Sequence, residues 1–249
     1  MYVISYQLYL EEIVLNNEWL KLLVVVDNRA VRHGLRTSWG LSIYAETPSV
    51  RILFDTGDDP MILEYNAKAL GIDLSNINAV VISHGHADHT GGLVLVAEYR
   101  PGVRVYYPSH AGLEDYVVGL GLTPCPVSLT TKVTKEVYVM SEMRASFGLW
   151  ELGLVIRIGR KLVLICGCSH PGVDKMAERA LEDIGGDLYM VIGGLHMPSS
   201  KALDRLIELG VQEIYPLHCS GYDTIRYLRR RYPERLRTGG CGLDILIEA

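Results

Sequence analysis

No stretch of this sequence is apolar for long enough to span a bilayer. Glu11 and Glu12 stand where a secretory leader would carry its apolar segment, so the cytoplasm is the expected compartment and no membrane partner is expected. Basic charge is also in short supply. The 24 Lys and Arg are outnumbered by 29 Asp and Glu, for a formal net charge of -5, which argues against a general affinity for nucleic acid. The one basic cluster, Arg226, Arg229, Arg230, Arg231 and Arg235, has the spacing of a solvated helix face, with reception of a phosphorylated substrate as the alternative. Paired CxxC spacing is missing, and the five cysteines Cys125, Cys166, Cys168, Cys219 and Cys241 are odd in number. Neither a structural zinc site of that type nor disulfides are therefore expected. Linkers, internal repeats and low-complexity tracts are lacking too. With 49% hydrophobic residues, the 249 residues read as a single domain, residues 1–249.

What the chain does have is an alternation of short Val- and Ile-rich runs with segments of helical spacing, punctuated by Gly, Pro, Asn and Asp. This is an α/β pattern. Strands are predicted over 22–26, 41–45, 50–54, 79–82, 103–106, 154–158, 161–165, 188–192, 213–215 and 243–247, and helices over 60–70, 92–99, 112–120, 173–184, 200–209 and 222–232. The first twenty residues are ambiguous between strand and helix, and 122–135 reads as a loop. Only Gly159 and Arg160 separate two of the strands, which predicts a hairpin. Hairpins together with helical crossovers favour two packed sheets with helices outside over one doubly wound sheet.

The chemistry concentrates in Ser83-His84-Gly85-His86-Ala87-Asp88-His89-Thr90-Gly91-Gly92, directly after the apolar run Ala79–Ile82. Neutral imidazoles and a carboxylate converging at about 2.0–2.2 Å suit zinc and similar divalent ions. His84 and His86 can point to one ion, while Asp88 and His89 can point to a second nearby, the arrangement used in two-metal hydrolysis. Gly85 would let the backbone bend between the histidines, and Gly91 and Gly92 would let the next helix start close to the site. Unrelated surface histidines would not gather in this way after a buried strand.

Further ligands must come from elsewhere in the chain. His170, His196 and His218 each follow a predicted strand, and loops leaving one edge of packed sheets converge. His33 and His110 have no such placement and read as structural or exposed. Asp55, ending the strand 50–54, either caps a turn or holds a ligand histidine by its second ring nitrogen. Trp39, Tyr106 and Tyr107 are candidates to stack a planar substrate, with core packing as the alternative.

The HxHxDH signature of His84, His86, Asp88 and His89, with Asp55 before it, resembles the metallo-β-lactamase superfamily. More narrowly, Val26-Asp27-Asn28, Gly40-Leu41-Ser42, Asn66, Gly167-Cys168-Ser169-His170, Gly193-Gly194-Leu195-His196 and His218-Cys219-Ser220-Gly221 resemble the branch of dihydropterin-ribofuranosylaminobenzene phosphate synthases and related hydrolases. The resemblance implies a four-layered αββα sandwich. It also implies metal ligation by His84, His86 and His170 at one position and by Asp88, His89 and His218 at the other. Asp88 and His196 are then the candidate catalytic residues, and two divalent ions are the expected cofactors, zinc first, with iron, manganese, magnesium or a single ion as alternatives. The better-known hydrolases place a bridging aspartate where this chain has Gly167-Cys168, so Cys168 is a ligand, an outer thiol or a packed residue. The expected activity is hydrolysis of a phosphoester, thioester or lactone. The alternatives are a synthase-like transfer releasing diphosphate, a redox reaction at iron, and a metal-stabilised binding or sensor protein. The expected partner is a small molecule, phosphorylated or pterin-like.

Overall fold

The computed structural model describes residues 18–249, so most of the ambiguous first twenty residues, together with Glu11 and Glu12, lie outside the described residues. One sheet collects β1 (Trp19–Val26), β2 (Ser42–Glu46), β3 (Arg51–Phe54), β4 (Ala79–Val81), β5 (Arg104–Pro108), β6 (Thr123–Val127) and β15 (Asp244–Glu248), in the order β15-β1-β2-β3-β4-β5-β6. The other collects β7 (Thr131–Lys132), β8 (Val137–Val139), β11 (Leu154–Ile158), β12 (Lys161–Cys166), β13 (Asp187–Gly194) and β14 (Glu213–Leu217), in the order β14-β13-β12-β11-β8-β7. The short strands β9 (Met143–Arg144) and β10 (Trp150–Glu151) pair with each other.

The layers follow from the two-residue period of the strands. Along β1, Leu20, Leu22 and Val24 enter a core shared with the second sheet, while Leu23 and Val25 enter a core on the opposite face. Along β12, Val163 and Ile165 face the shared core and Leu162, Leu164 and Cys166 face away. Each sheet therefore has two apolar faces, and the outer ones need helices. On the first sheet these are α1 (Pro60–Leu70), α2 (Ala87–Thr90), α3 (Leu93–Tyr99) and α4 (Glu114–Gly119), with Leu63, Leu93, Val96 and Val117 buried against Leu53 and Val80. On the second they are α5 (Val173–Ile184), α6 (Ser200–Glu208) and α7 (Tyr222–Arg231), through Met176, Ala180, Leu203, Leu206 and Leu228. The result is the αββα sandwich. None of the described helices is long and apolar enough to cross a membrane.

Parallel pairing decides where the site falls. Strands β3 and β4 run parallel with Phe54 opposite Val81, and β12, β13 and β14 run parallel with Cys166 opposite Gly193 and Gly194 opposite Leu217. The loops after these five strands consequently leave at matched heights. The hairpin between β11 and β12 turns at Gly159 and Arg160, with Gly159 at φ 59°.

The segment 122–135 is not a loop: it contains β6 and β7. Pro124 and Pro126 hide β6 from a sequence reading because proline donates nothing to a ladder. In β6, which lies at the end of the described sheet, Thr123 N–H points inward to Val103 O at 3.0 Å, so alternation turns both prolines toward the unpaired side. Gly91 and Gly92 are required by close approach, since an added Cβ would lie 2.3 Å from Asp58 O or 2.3 Å from Thr56 O. Gly85 is not needed for bending: its φ is ordinary, and a Cβ there would meet Ala111 O at 3.4 Å.

Ile156, fully buried between the sheets, and Leu246, 62% exposed on β15, make a matched test of this layering. Ile156→Ala is expected to lower the unfolding free energy by about 2–5 kcal/mol. Leu246→Ala should change it by less than about 0.5 kcal/mol. Urea midpoints at unchanged m-value measure both.

Candidate metal centre

The loop after β3 places Asp55, a fully buried carboxylate held at φ 54°. Its Oδ1 accepts from Ser83 N at 2.7 Å, and its Oδ2 accepts from Ser83 Oγ at 2.8 Å and faces His89 Nδ1 at 2.6 Å. The one O–H of Ser83 is thus engaged in donating to Asp55, so its Oγ can only accept from His84 Nδ1, 2.9 Å away. One carboxylate thereby fixes the tautomers of two imidazoles, His89 directly and His84 through a hydroxyl, leaving both Nε2 atoms with free lone pairs. His84 Nε2 faces His86 Nδ1 at 3.0 Å. Burial pushes His84 and His89 down to about 3, so both stay neutral, the form in which imidazole binds a metal. Burial pushes Asp55 up to about 7, against lowering by His84 and the Ser83 donors.

A second buried carboxylate performs the corresponding work for the other sheet. Glu151, on β10, accepts from the backbone N–H groups of Cys168, Ser169 and His170 at 2.8, 2.7 and 2.8 Å and from His170 Nδ1 at 2.8 Å. Burial opposes its charge, but His170 and His84 outweigh burial and hold the carboxyl down at about 2. His170 is left with Nε2 as its available donor. On the loop after β14, His218 N donates to Asp27 Oδ1 at 2.6 Å, while Asn28 Oδ1 meets His218 Nδ1 at 3.1 Å and Asn28 Nδ2 donates to His218 O at 3.0 Å.

Four trios of potential ligand atoms have their members within 4.8 Å of one another; beside two that contain Cys168 stand His84, His86 and His170, and Asp88, His89 and His218. In the last, Asp88 Oδ2 lies 3.7 Å from His89 Nε2 and 3.2 Å from His218 Nε2. Burial would raise Asp88, yet the neighbouring imidazoles hold it well below the usual carboxylate range. The donors fit divalent transition ions. His218 Nε2 is buried with no hydrogen bond among the described residues, which a bound cation would satisfy. The 3.0 Å between His84 Nε2 and His86 Nδ1 is close to the ~3.3 Å that separates two nitrogens on one tetrahedral ion.

The structure therefore brings together His84, His86, Asp88, His89, His170 and His218, with His196 beside them, its ring 4.4 Å from that of His170. His33 and His110 stand apart; His110 stacks on Trp150 at 4.6 Å and contacts Glu142. A cleft of about 460 Å³ opens over the site, lined by Trp39, Asp88, His170, His196, His218 and Cys219 among others. Trp39 is 61% exposed and flanks His218 at 5.1 Å, whereas Tyr107 is core and Tyr106 packs against the shared core. Glu151 escaped sequence reasoning because it sits on a two-residue strand outside any motif. Asn28 and Asp27 stood in the sequence only as a family match, without a role.

Glu151 ties this geometry to pH. Its folded value of about 2 lies below the ordinary 4.5, so its contribution is complete above pH 4.5 and fades as pH falls toward 2. In metal-free protein, Glu151→Gln is expected to cost on the order of 3 kcal/mol at pH 7. The gap from wild type should narrow below pH 4.5; denaturant titrations across that range would refute the account if the gap were constant.

Comparison with known proteins agrees with this architecture. The family model described as Metallo-beta-lactamase superfamily matches residues 40–139, which contain Asp55 and the histidine loop. The chain is 26% identical over 262 residues to the 7,8-dihydropterin-6-methyl-4-(beta-D-ribofuranosyl)-aminobenzene-5'-phosphate synthase of Methanocaldococcus jannaschii, covering 84% of this chain and 88% of that one. An uncharacterised protein of the same organism is 24% identical over 242 residues, covering 82% and 92%. Among solved structures, Tm1679, a metal-dependent hydrolase of the beta-lactamase superfamily, superposes with a TM-score of 0.78 at 26% identity, covering 92% of this chain and all of that one. Layer order, histidine loop and these likenesses converge: the chain has the metallo-β-lactamase fold, and its residues 40–139 match the metallo-β-lactamase superfamily.

Proposed function

We propose that this protein is a metal-dependent hydrolase acting on a phosphoester, thioester or lactone, as one domain over residues 1–249 with two divalent ions, zinc first. The observation that carries the reading is the pair of trios, His84, His86 and His170 beside Asp88, His89 and His218, where the outer ring nitrogens of His84, His89, His170 and His218 each have a side-chain partner. When bound, divalent ions there supply hydroxide at neutral pH and polarise a phosphoryl or carbonyl oxygen. The chain's residues supply the rest. Asp88, ionised and facing the cleft, accepts a hydrogen bond from a proton-bearing oxygen and orients it. His196 lies on the cleft wall, lowered by burial and by His170, so its neutral ring can hold a substrate oxygen through its N–H. Trp39 offers a face for a planar group. A neighbouring pocket of about 740 Å³, lined by Met197, Tyr222, Arg226 and Arg230, gives a phosphorylated substrate cationic partners.

A second reading is favoured by the similarity to the Methanocaldococcus jannaschii synthase over 84% of this chain. Here an arylamine attacks a pterin methylene carbon, and diphosphate leaves toward the same metal-facing cleft. The two readings share the site and differ in the nucleophile and in the atom it attacks.

The metal-loaded protein should therefore be incubated with a pterin methyl diphosphate, with and without the arylamine phosphate, and with a panel of phosphodiesters, thioesters and lactones. Turnover with water is expected on at least one substrate, and His86→Ala should lower it by more than about 100-fold. Diphosphate release that requires the amine would select the synthase reading. Absence of turnover on every substrate would overturn both and leave a binding or sensor protein.

A further inference from the structure

Each trio contains a single kind of neutral donor except for Asp88, the one carboxylate in these clusters, because Asp55 and Glu151 are consumed by their own donors. Two divalent ions facing one carboxylate would be left with most of their charge uncompensated. Between the trios stands a sulfur. Cys168, 4% exposed at the end of β12, places Sγ 3.3 Å from His89 Nε2, and its Sγ lies within 4.8 Å of ligand atoms of both His84 and His89, one from each trio. We propose that Cys168 Sγ is a metal ligand shared by the two positions, so that the centre selects thiophilic divalent ions such as zinc, cobalt or iron over magnesium. This rests on the reading that the trios hold metal.

The backbone gives the sulfur little freedom. Cys168 N is bonded to Glu151 Oε1 at 2.8 Å, and the flanking strand ends are packed so closely that a Cβ on Gly167 would lie 2.0 Å from Ser83 Oγ. A Cβ on Gly194 would come within 3.2 Å of Cys168 Cα. The side chain at 168 is thus directed into the space between the trios. Cys219 Sγ sits 3.2 Å away and donates to Cys168 Sγ, and these two thiols with His196 form a further group within 4.8 Å. Cys219 is accordingly a positioning residue, outside the pair of trios. Ligation exchanges the Cys168 S–H bond for a sulfur–metal bond, and the proton leaves to solvent; no electron is transferred.

Cobalt(II) makes the sulfur visible, because thiolate ligation adds a near-ultraviolet charge-transfer band that nitrogen and oxygen ligands do not give. Protein stripped with chelator and titrated anaerobically with cobalt is expected to show this band. Cys168→Ser should lose it, with at least a tenfold weaker second cobalt, and Cys219→Ser should keep it. Cys168→Asp should restore the second cobalt without the band. Circular dichroism checks that each variant folds. Cobalt bound without a charge-transfer band in wild type, or a band that survives Cys168→Ser, would overturn the proposal while leaving the metal centre intact. Failure of wild-type protein to bind cobalt at all would overturn both.

Discussion

The centre depends on the carboxylate of Asp55. It has no exposure, and its oxygens meet three donors, the Ser83 amide, the Ser83 hydroxyl and the His89 ring. A hydroxyl that donates to Asp55 must accept from His84, so a single negative charge decides which nitrogen of His84 and which of His89 faces inward. One of these histidines belongs to each trio. The two groups of donors are therefore not independent: shifting Asp55 would turn a ring in both. Asp55 is itself anchored by the sheet, with its N–H donating to Val81 O at 2.8 Å and its C=O accepting from Ser42 Oγ at 2.9 Å.

The second sheet repeats the device with different parts. Glu151 gathers three consecutive amides and the His170 ring, turning the end of β12 into a loop that faces the first sheet. The sheets are joined at this point by the N–H of Leu152, the residue after Glu151, which donates at 2.9 Å to the C=O of Ser83, the partner of Asp55. Neither sheet supplies a complete trio. His84 and His86 need His170 from across the interface, and Asp88 and His89 need His218, so the site exists only where the sandwich closes. This is why the shared core, filled by Leu22, Val24, Ile156 and Ile165 among others, is as much a requirement of the site as the ligands are.

Much of this was legible in the sequence, and the limits have physical causes. Residues with a strong period were easy: β11 (Leu154–Ile158), α1 (Pro60–Leu70) and α5 (Val173–Ile184) fall where the apolar spacing puts them. The histidine loop was legible because four potential ligands crowd into six residues after an apolar strand. Asp55 was legible as a strand-end carboxylate, but its choice between capping and holding a ring needed coordinates. Strand β6 was hidden because its ladder role depends on which side lacks a neighbour, a property of the sheet and not of Pro124 or Pro126. Glu151 was hidden for a related reason. Its importance comes from three amides at 168–170 that approach it only after two sheets have packed, and nothing at 150–151 announces that meeting.

Backbone strain shows how the fold keeps such a site in place. The non-glycine residues at positive φ among those described are Asp55, Ser169, His196, Met197 and His218, all on loops that reach the centre. Each left-handed conformation costs of order 1–3 kcal/mol, which is large beside a typical domain stability of about 5–15 kcal/mol. Three of these positions share one remedy. Asp55 gives its N–H to the neighbouring strand, Ser169 gives its N–H to Glu151, and His218 gives its N–H to Asp27, so the strained peptide is locked by a bond that a relaxed loop would lose. Two of the three acceptors are carboxylates with no solvent exposure, where a hydrogen bond to a charged group has its greatest worth. Asp27, Asp55 and Glu151 are thus framework, however much they look like candidate ligands. Their charge is used up in holding the loops, which leaves the inward-facing nitrogens and Asp88 as the candidate donors of the centre.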